Sequence, residues 1–76
     1  MKEDIYLPRM GQTMIEGTVE KWLKKDGDIV EKGEDIAEIS KDKVTTNIES
    51  PESGTLHIIV DEGSTVPVGE VIAQVE

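Results

Sequence analysis

Gly33-Glu34-Asp35-Ile36-Ala37-Glu38-Ile39 returns as Gly69-Glu70-Val71-Ile72-Ala73-Gln74-Val75, thirty-six residues further on. Gly27 returns as Gly63 at the same offset, and Gly17-Thr18-Val19 returns as Gly54-Thr55-Leu56 at an offset of 37. Upstream, residues 5–8 (Ile-Tyr-Leu-Pro) can be laid on 48–51 (Ile-Glu-Ser-Pro). Six of the seven glycines fall into three pairs. The odd one, Gly11, lies in segment 9–15, which the second half lacks. Self-similarity at a fixed spacing marks a repeated structural unit. Two copies are too few to stack as a solenoid. They predict instead two small sheets related by an approximate two-fold axis, with their apolar faces closed on each other. The paired glycines then read as turn positions needing positive φ. Phosphate cradling is the weaker reading of them, because no Gly-Lys-Ser/Thr follows and no helix is in prospect.

The rest of the composition points the same way. Of 27 apolar residues, 17 are Ile or Val, and six Thr add to the β-branched total. Such residues favour strands. Apolar runs of strand length fall at 5–7, 19–23, 36–39, 44–48, 56–60 and 71–75, several of them alternating with polar residues. At 76 residues the chain is one domain, and without cysteine it has no disulfide to staple it. A core this small leaves little room for a dry, preorganised catalytic pocket, so an enzyme with its own active site is not expected. The net charge of −9 repels phosphate backbones, so a nucleic-acid partner is not expected either. No apolar run is long enough for a membrane-spanning helix or a signal peptide. The expected setting is cytoplasmic, with no membrane partner.

The duplication leaves one junction unexplained. Strand 35–39 closes the first half, strand 44–48 opens the second, and Ser40-Lys41-Asp42-Lys43 lies between them. Four residues are few enough for a hairpin turn, and Asp suits turns through hydrogen bonds to nearby backbone. A lysine there is ordinarily a solvated charge. Its functional reading is an amine held off the sheet, where another protein can modify it.

Ser40-Lys41-Asp42-Lys43-Val44 resembles the Asp-Lys-Ala/Val turn of lipoyl domains from 2-oxo acid dehydrogenase complexes. The surrounding pattern agrees: Leu7-Pro8-Arg9-Met10-Gly11 through Gly17, Val19-Glu20-Lys21-Trp22-Leu23 through Gly33, and Ile48-Glu49-Ser50-Pro51 followed by Gly54. The resemblance covers essentially the whole chain and is greatest to the dihydrolipoyl acyltransferase (E2) component. It implies an all-β flattened barrel of two mainly four-stranded antiparallel sheets with internal pseudo-two-fold symmetry. It implies a single lipoyl domain over 1–76, with halves at about 4–40 and 43–76, excised from a larger protein. It also implies lipoate joined by an amide to Lys43, with Asp42 and Val44 presenting that lysine.

The family's loop after the first strand helps its first enzyme recognise the domain. That role carries over to Arg9, Met10, Gly11, Gln12, Thr13, Met14, Ile15 and Glu16. The implied function is a swinging-arm carrier. Lipoyl-lysine is reductively acylated by a 2-oxo acid decarboxylase (E1), delivers the acyl group to coenzyme A at the acyltransferase catalytic domain, and is re-oxidised by dihydrolipoamide dehydrogenase (E3). A lipoate ligase or lipoyl transferase loads it, and the domain itself is expected to be monomeric. Family members often have Glu-Thr before Asp-Lys. Here Ser40-Lys41 stands instead and puts a second amine two residues from the first. Lys43 is preferred because it alone has Asp before it and Val after it.

Other residues take plainer readings. His57 is expected to face solvent, Trp22 to be partly buried, and Asp26, Asp28, Asp61 and Glu62 to be solvated turn residues; no metal site is expected. Met10 and Met14 are open between core and contact roles. Two alternatives compete with a lipoyl carrier. A biotinyl carrier shares the fold but has Met on both sides of its lysine, where this chain has Asp42 and Val44. An acidic β interaction module would leave Lys43 unmodified. The substrate acid, or acetoin, is not written in the sequence.

Overall fold

The computed structural model describes residues 2–76, and its eight strands follow one another with no helix between them. They are β1 (Glu3–Tyr6), β2 (Glu16–Trp22), β3 (Ile29–Val30), β4 (Asp35–Lys41), β5 (Val44–Glu49), β6 (Gly54–Ile58), β7 (Thr65–Pro67) and β8 (Val71–Val75). One antiparallel sheet has the order β1-β8-β6-β3, and the other has β5-β4-β2-β7. Advancing every strand number by four, and wrapping round, turns the first order into the second. The repeat seen in the sequence is therefore a two-fold repeat of topology. The all-β expectation holds. The runs of apolar residues pointed to six strands, however, and missed β3 and β7, which are two and three residues long.

Hydrogen bonds repeat along with the topology. The Gly27 amide donates to Leu56 O at 2.7 Å, and the Gly63 amide donates to Val19 O at 2.6 Å. Each bond ties one half to the other. Gly27 and Gly63 hold φ at 91° and 89°, and Gly33 and Gly69 hold 87° and 91°. In these two pairs the expected left-handed turns are present. The third pair corrects the expectation in part: Gly54 keeps a positive φ of 157° while Gly17 does not, and both lie within strands, β2 and β6, and not in turns. What they allow is close approach. A Cβ on Gly17 would stand 2.7 Å from the Met14 ε-methyl, and one on Gly54 would stand 2.6 Å from the Glu76 carbonyl oxygen.

The core is the space between the sheets. Val19, Ile36, Ala37, Ile39, Leu56, Ile72 and Ala73 are completely buried there. Burying the Val, Ile and Leu side chains among them is worth about 1.5–3 kcal/mol each, before chain entropy is charged. Both halves of the quoted repeat contribute the same Ile-Ala pair, so the core is duplicated with the chain. Trp22 is partly buried as expected, packs against the core, and donates its indole N–H to Val60 O at 2.9 Å. His57 faces solvent, also as expected.

The turn carboxylates do more than face water. The Asp26 carboxylate accepts the Ile58 amide at 2.8 Å, and Glu62 accepts the Trp22 amide at 2.9 Å. Asp28 accepts the Lys25 amide at 2.8 Å. Asp26 and Glu62 are two-fold equivalents, so each half clips a strand of the other with an acidic side chain.

Candidate functional site

The junction between the halves folds as a tight hairpin. β4 and β5 pair from Asp35↔Glu49 to Lys41↔Val44, leaving Asp42 and Lys43 as a two-residue loop. Loops of this length match the twist of antiparallel strands when the first central residue takes positive φ. Asp42 takes it, at 56°, and is the one non-glycine residue to do so among the described residues. Asp and Asn tolerate this region better than other L residues do, which gives Asp42 a physical reason to precede Lys43. Behind the turn the strands are tied side to side. The Asn47 amide donates to Asp35 at 3.2 Å, and the Ser40 hydroxyl donates to Glu20 on β2 at 2.6 Å.

Lys43 is exposed, and it takes part in no ion pair among the described residues. Lys41, the competing amine, is partly buried at the last position of β4. Val44, although apolar, is 56% exposed. The turn thus offers one free amine at its tip, with a strained aspartate before it and an exposed valine after it.

Segment 9–15 comes to this turn. It is folded on itself through Met14. The Met10 amide donates to the Met14 sulfur at 3.1 Å, and the Met14 amide donates to Gly11 O at 3.2 Å. Met14 is buried at 5% exposure and belongs to the core, while Met10 is partly buried against it. Both methionines therefore have packing roles. Met10, Gly11, Thr13 and Met14 face Lys41, Asp42 and Val44 across an open hollow of about 190 Å³. A second, wider groove of about 540 Å³ runs from Tyr6, Pro8 and Arg9 along β5. Gln12 and Ile15 line neither, and Glu16 is held in β2 opposite Pro67. Ile15 stands 72% exposed. The anticipated recognition loop is therefore split: part of it touches the hairpin and part looks elsewhere.

Tyr6 and residues 45–49 lay outside the expected site. Their signal was weak, since an edge strand's outer residues look like any exposed polar alternation. Elsewhere, the one tight ion pair among the described residues joins Lys24 and Glu34 at 2.7 Å. The Lys24 hydrogen bond, helped by the Glu31 amide, holds the Glu34 carboxyl below the usual carboxylate range, and Lys24 is raised in return. This pair lies away from the hollow and stabilises the 31–34 turn. No group of His, Cys, Asp and Glu among the described residues is arranged to hold a metal ion.

Comparisons with known proteins bear on this arrangement. A family model described as "Biotin-requiring enzyme" matches residues 3–75. The chain is 48% identical over 73 residues to the dihydrolipoyllysine-residue acetyltransferase component of the pyruvate dehydrogenase complex of Corynebacterium glutamicum, covering 95% of this chain and 11% of that protein. It is 46% identical over 76 residues to the acetyltransferase component of the acetoin cleaving system of Bacillus subtilis, covering 99% of this chain and 19% of that protein. Among solved structures, the lipoyl domain of the 2-oxoglutarate dehydrogenase complex of Azotobacter vinelandii superposes with a TM-score of 0.80 at 33% identity, over 97% of this chain and 95% of that one. The chain spans a tenth to a fifth of the length of these two curated relatives.

Proposed function

The chain belongs to the biotin-requiring enzyme family, among its lipoyl domains, and from that premise we propose that Lys43 is the residue that carries lipoate. The observation that carries the assignment is the hairpin itself: a two-residue loop that puts one exposed, unpaired amine at its tip and leaves Lys41 in the strand. The family carries lipoate on a lysine, and the residues present fit that group. Attachment needs an accessible amine and nothing from the domain's interior. The Lys43 amine displaces the activating group from a ligase-activated lipoate carboxyl. An amide forms, the ammonium charge is lost, and the formal net charge moves from −9 to −10.

The domain is a carrier and not a catalyst. When attached, lipoate supplies a dithiolane that takes up an acyl group with two electrons and passes both on. The chain's own residues hold and address the arm. Asp42 sets the turn, β4 and β5 fix its direction, and Met10, Gly11 and Thr13 present a surface beside it. For the whole protein we propose the acyltransferase role carried by the named relatives, working with a 2-oxo acid decarboxylase and a dihydrolipoamide dehydrogenase. We propose a cytoplasmic setting, where coenzyme A is available. The relatives named above serve pyruvate, acetoin and 2-oxoglutarate systems, so similarity does not choose the substrate.

Intact-mass measurement after co-expression with a lipoate ligase tests the site. The unaltered chain and Lys41→Arg should gain one lipoyl group, and Lys43→Arg should gain none. Modification of Lys43→Arg would move the site to Lys41. A gain of biotin from a biotin ligase, with no lipoyl gain, would replace the carrier assignment.

A further inference from the structure

We infer that the hollow between segment 9–15 and the hairpin is a resting place for the end of the lipoyl arm. The inference rests on the assignment of Lys43 made above. The hollow's hairpin side is lined by Asp42 and Val44, the two neighbours of Lys43, so the arm is rooted on its rim. Its opposite side is built from Met10, Gly11, Thr13 and Met14. Thioether side chains adapt their shape and make favourable contacts with polarisable groups, which suits an uncharged sulfur ring. Val44 adds exposed apolar surface on the hairpin side.

The arm carries no charge, so neither Lys41 nor Asp42 repels it, and Asp42 is exposed at the turn. Covering Val44 and Met10 with the arm takes apolar surface out of water on both partners. Tethering at the rim keeps the ring's local concentration high, so even weak contacts hold it there for part of the time. Gly11 is part of the lining. A Cβ built on it would meet nothing within 4 Å, and its φ is not in the left-handed region. A larger residue at position 11 therefore adds bulk at the hollow's lining without straining the backbone.

The experiment uses the lipoylated domain, with loading first checked by intact mass. Nuclear Overhauser contacts are sought between the dithiolane protons and the Met10 ε-methyl, in the unaltered chain and in Gly11→Trp. The expected result is contacts in the first and their loss in the second, with both chains fully lipoylated. A lipoylated unaltered chain without such contacts overturns the inference and leaves the Lys43 assignment standing. Contacts that persist in Gly11→Trp also overturn it, since the arm would then rest elsewhere. A chain that gains no lipoyl mass overturns the proposed function, and this inference falls with it.

Discussion

Asp42 shows most directly how one residue's chemistry sets the site. At a φ of 56° it holds a conformation that costs most L residues about 1–2 kcal/mol. Asp42→Gly should leave the urea midpoint close to that of the unaltered domain, whereas Asp42→Val should lower stability by about 1–2 kcal/mol. Equal stability of the two variants would remove strain as the reason for Asp at this position. Glu34 supplies a pH signature. Its carboxyl is held low by Lys24, so the stabilisation is present above the unfolded carboxylate value of about 4.3 and is lost as pH falls through the folded value. Lys24 is raised, so its share is present below about 10.4 and is lost as pH rises through its folded value. The stability gap between the unaltered domain and Glu34→Gln should therefore be open at pH 7 and close on acidification, as read by denaturation at a series of pH values. The turn that holds Lys43 was legible because two strand-like runs flank Ser40-Lys41-Asp42-Lys43 in sequence. The carboxylate clips of Asp26 and Glu62 were not, because their partners lie 32 and 40 residues away. Nothing in a local run of residues tells a bonded turn acid from a solvated one.

Among the strands, the glycines inside β2 and β6 separate two kinds of close packing. A methyl on Gly17 meets the end of a flexible Met14 side chain, whereas one on Gly54 meets the backbone of Glu76, where Thr55 and Glu76 exchange amide hydrogen bonds of 2.9 Å. Side-chain ends can move, and backbone held by such a pair cannot do so without breaking it. Gly54→Ala should therefore cost about 1–3 kcal/mol, the usual range for overpacking, with its φ of 157° adding backbone strain, and Gly17→Ala should cost less. Differential denaturation measures both, and the reverse order would show that Met14 has no room to swing. Both glycines were visible as a repeated pair, but the close approach that both permit was not. Sequence separates a turn glycine from a packing glycine only when the strand boundaries are known. Likewise β3 and β7 escaped notice because strands of two or three residues carry no periodicity, while the β4–β5 hairpin was readable from two alternating runs with a turn between them.

The duplication, which is a property of the whole molecule, was the most legible feature of all, because it is written in residues and needs no geometry to be found. Its geometry adds something that the sequence did not disclose. Each sheet takes two strands from each half: β1 and β3 with β6 and β8, β2 and β4 with β5 and β7. Neither half can complete a sheet. Alone, residues 1–42 keep only the β2–β4 ladder and residues 43–76 only the β6–β8 ladder, and isolated two-stranded pieces are marginal in water. The covalent connection between the halves is the peptide between Asp42 and Lys43. In thermodynamic terms the domain is a heterodimer of two unlike peptides whose linker is one bond long. Cut there, it should obey mass action, with two fragments unstructured apart and folded when mixed, and with a melting temperature that climbs with concentration. Circular dichroism of the separate and mixed peptides would show this, and a fragment that folded alone would contradict it. The amine proposed to carry the arm would then be the first residue of its own chain, seated by a partner that supplies the other half of every sheet.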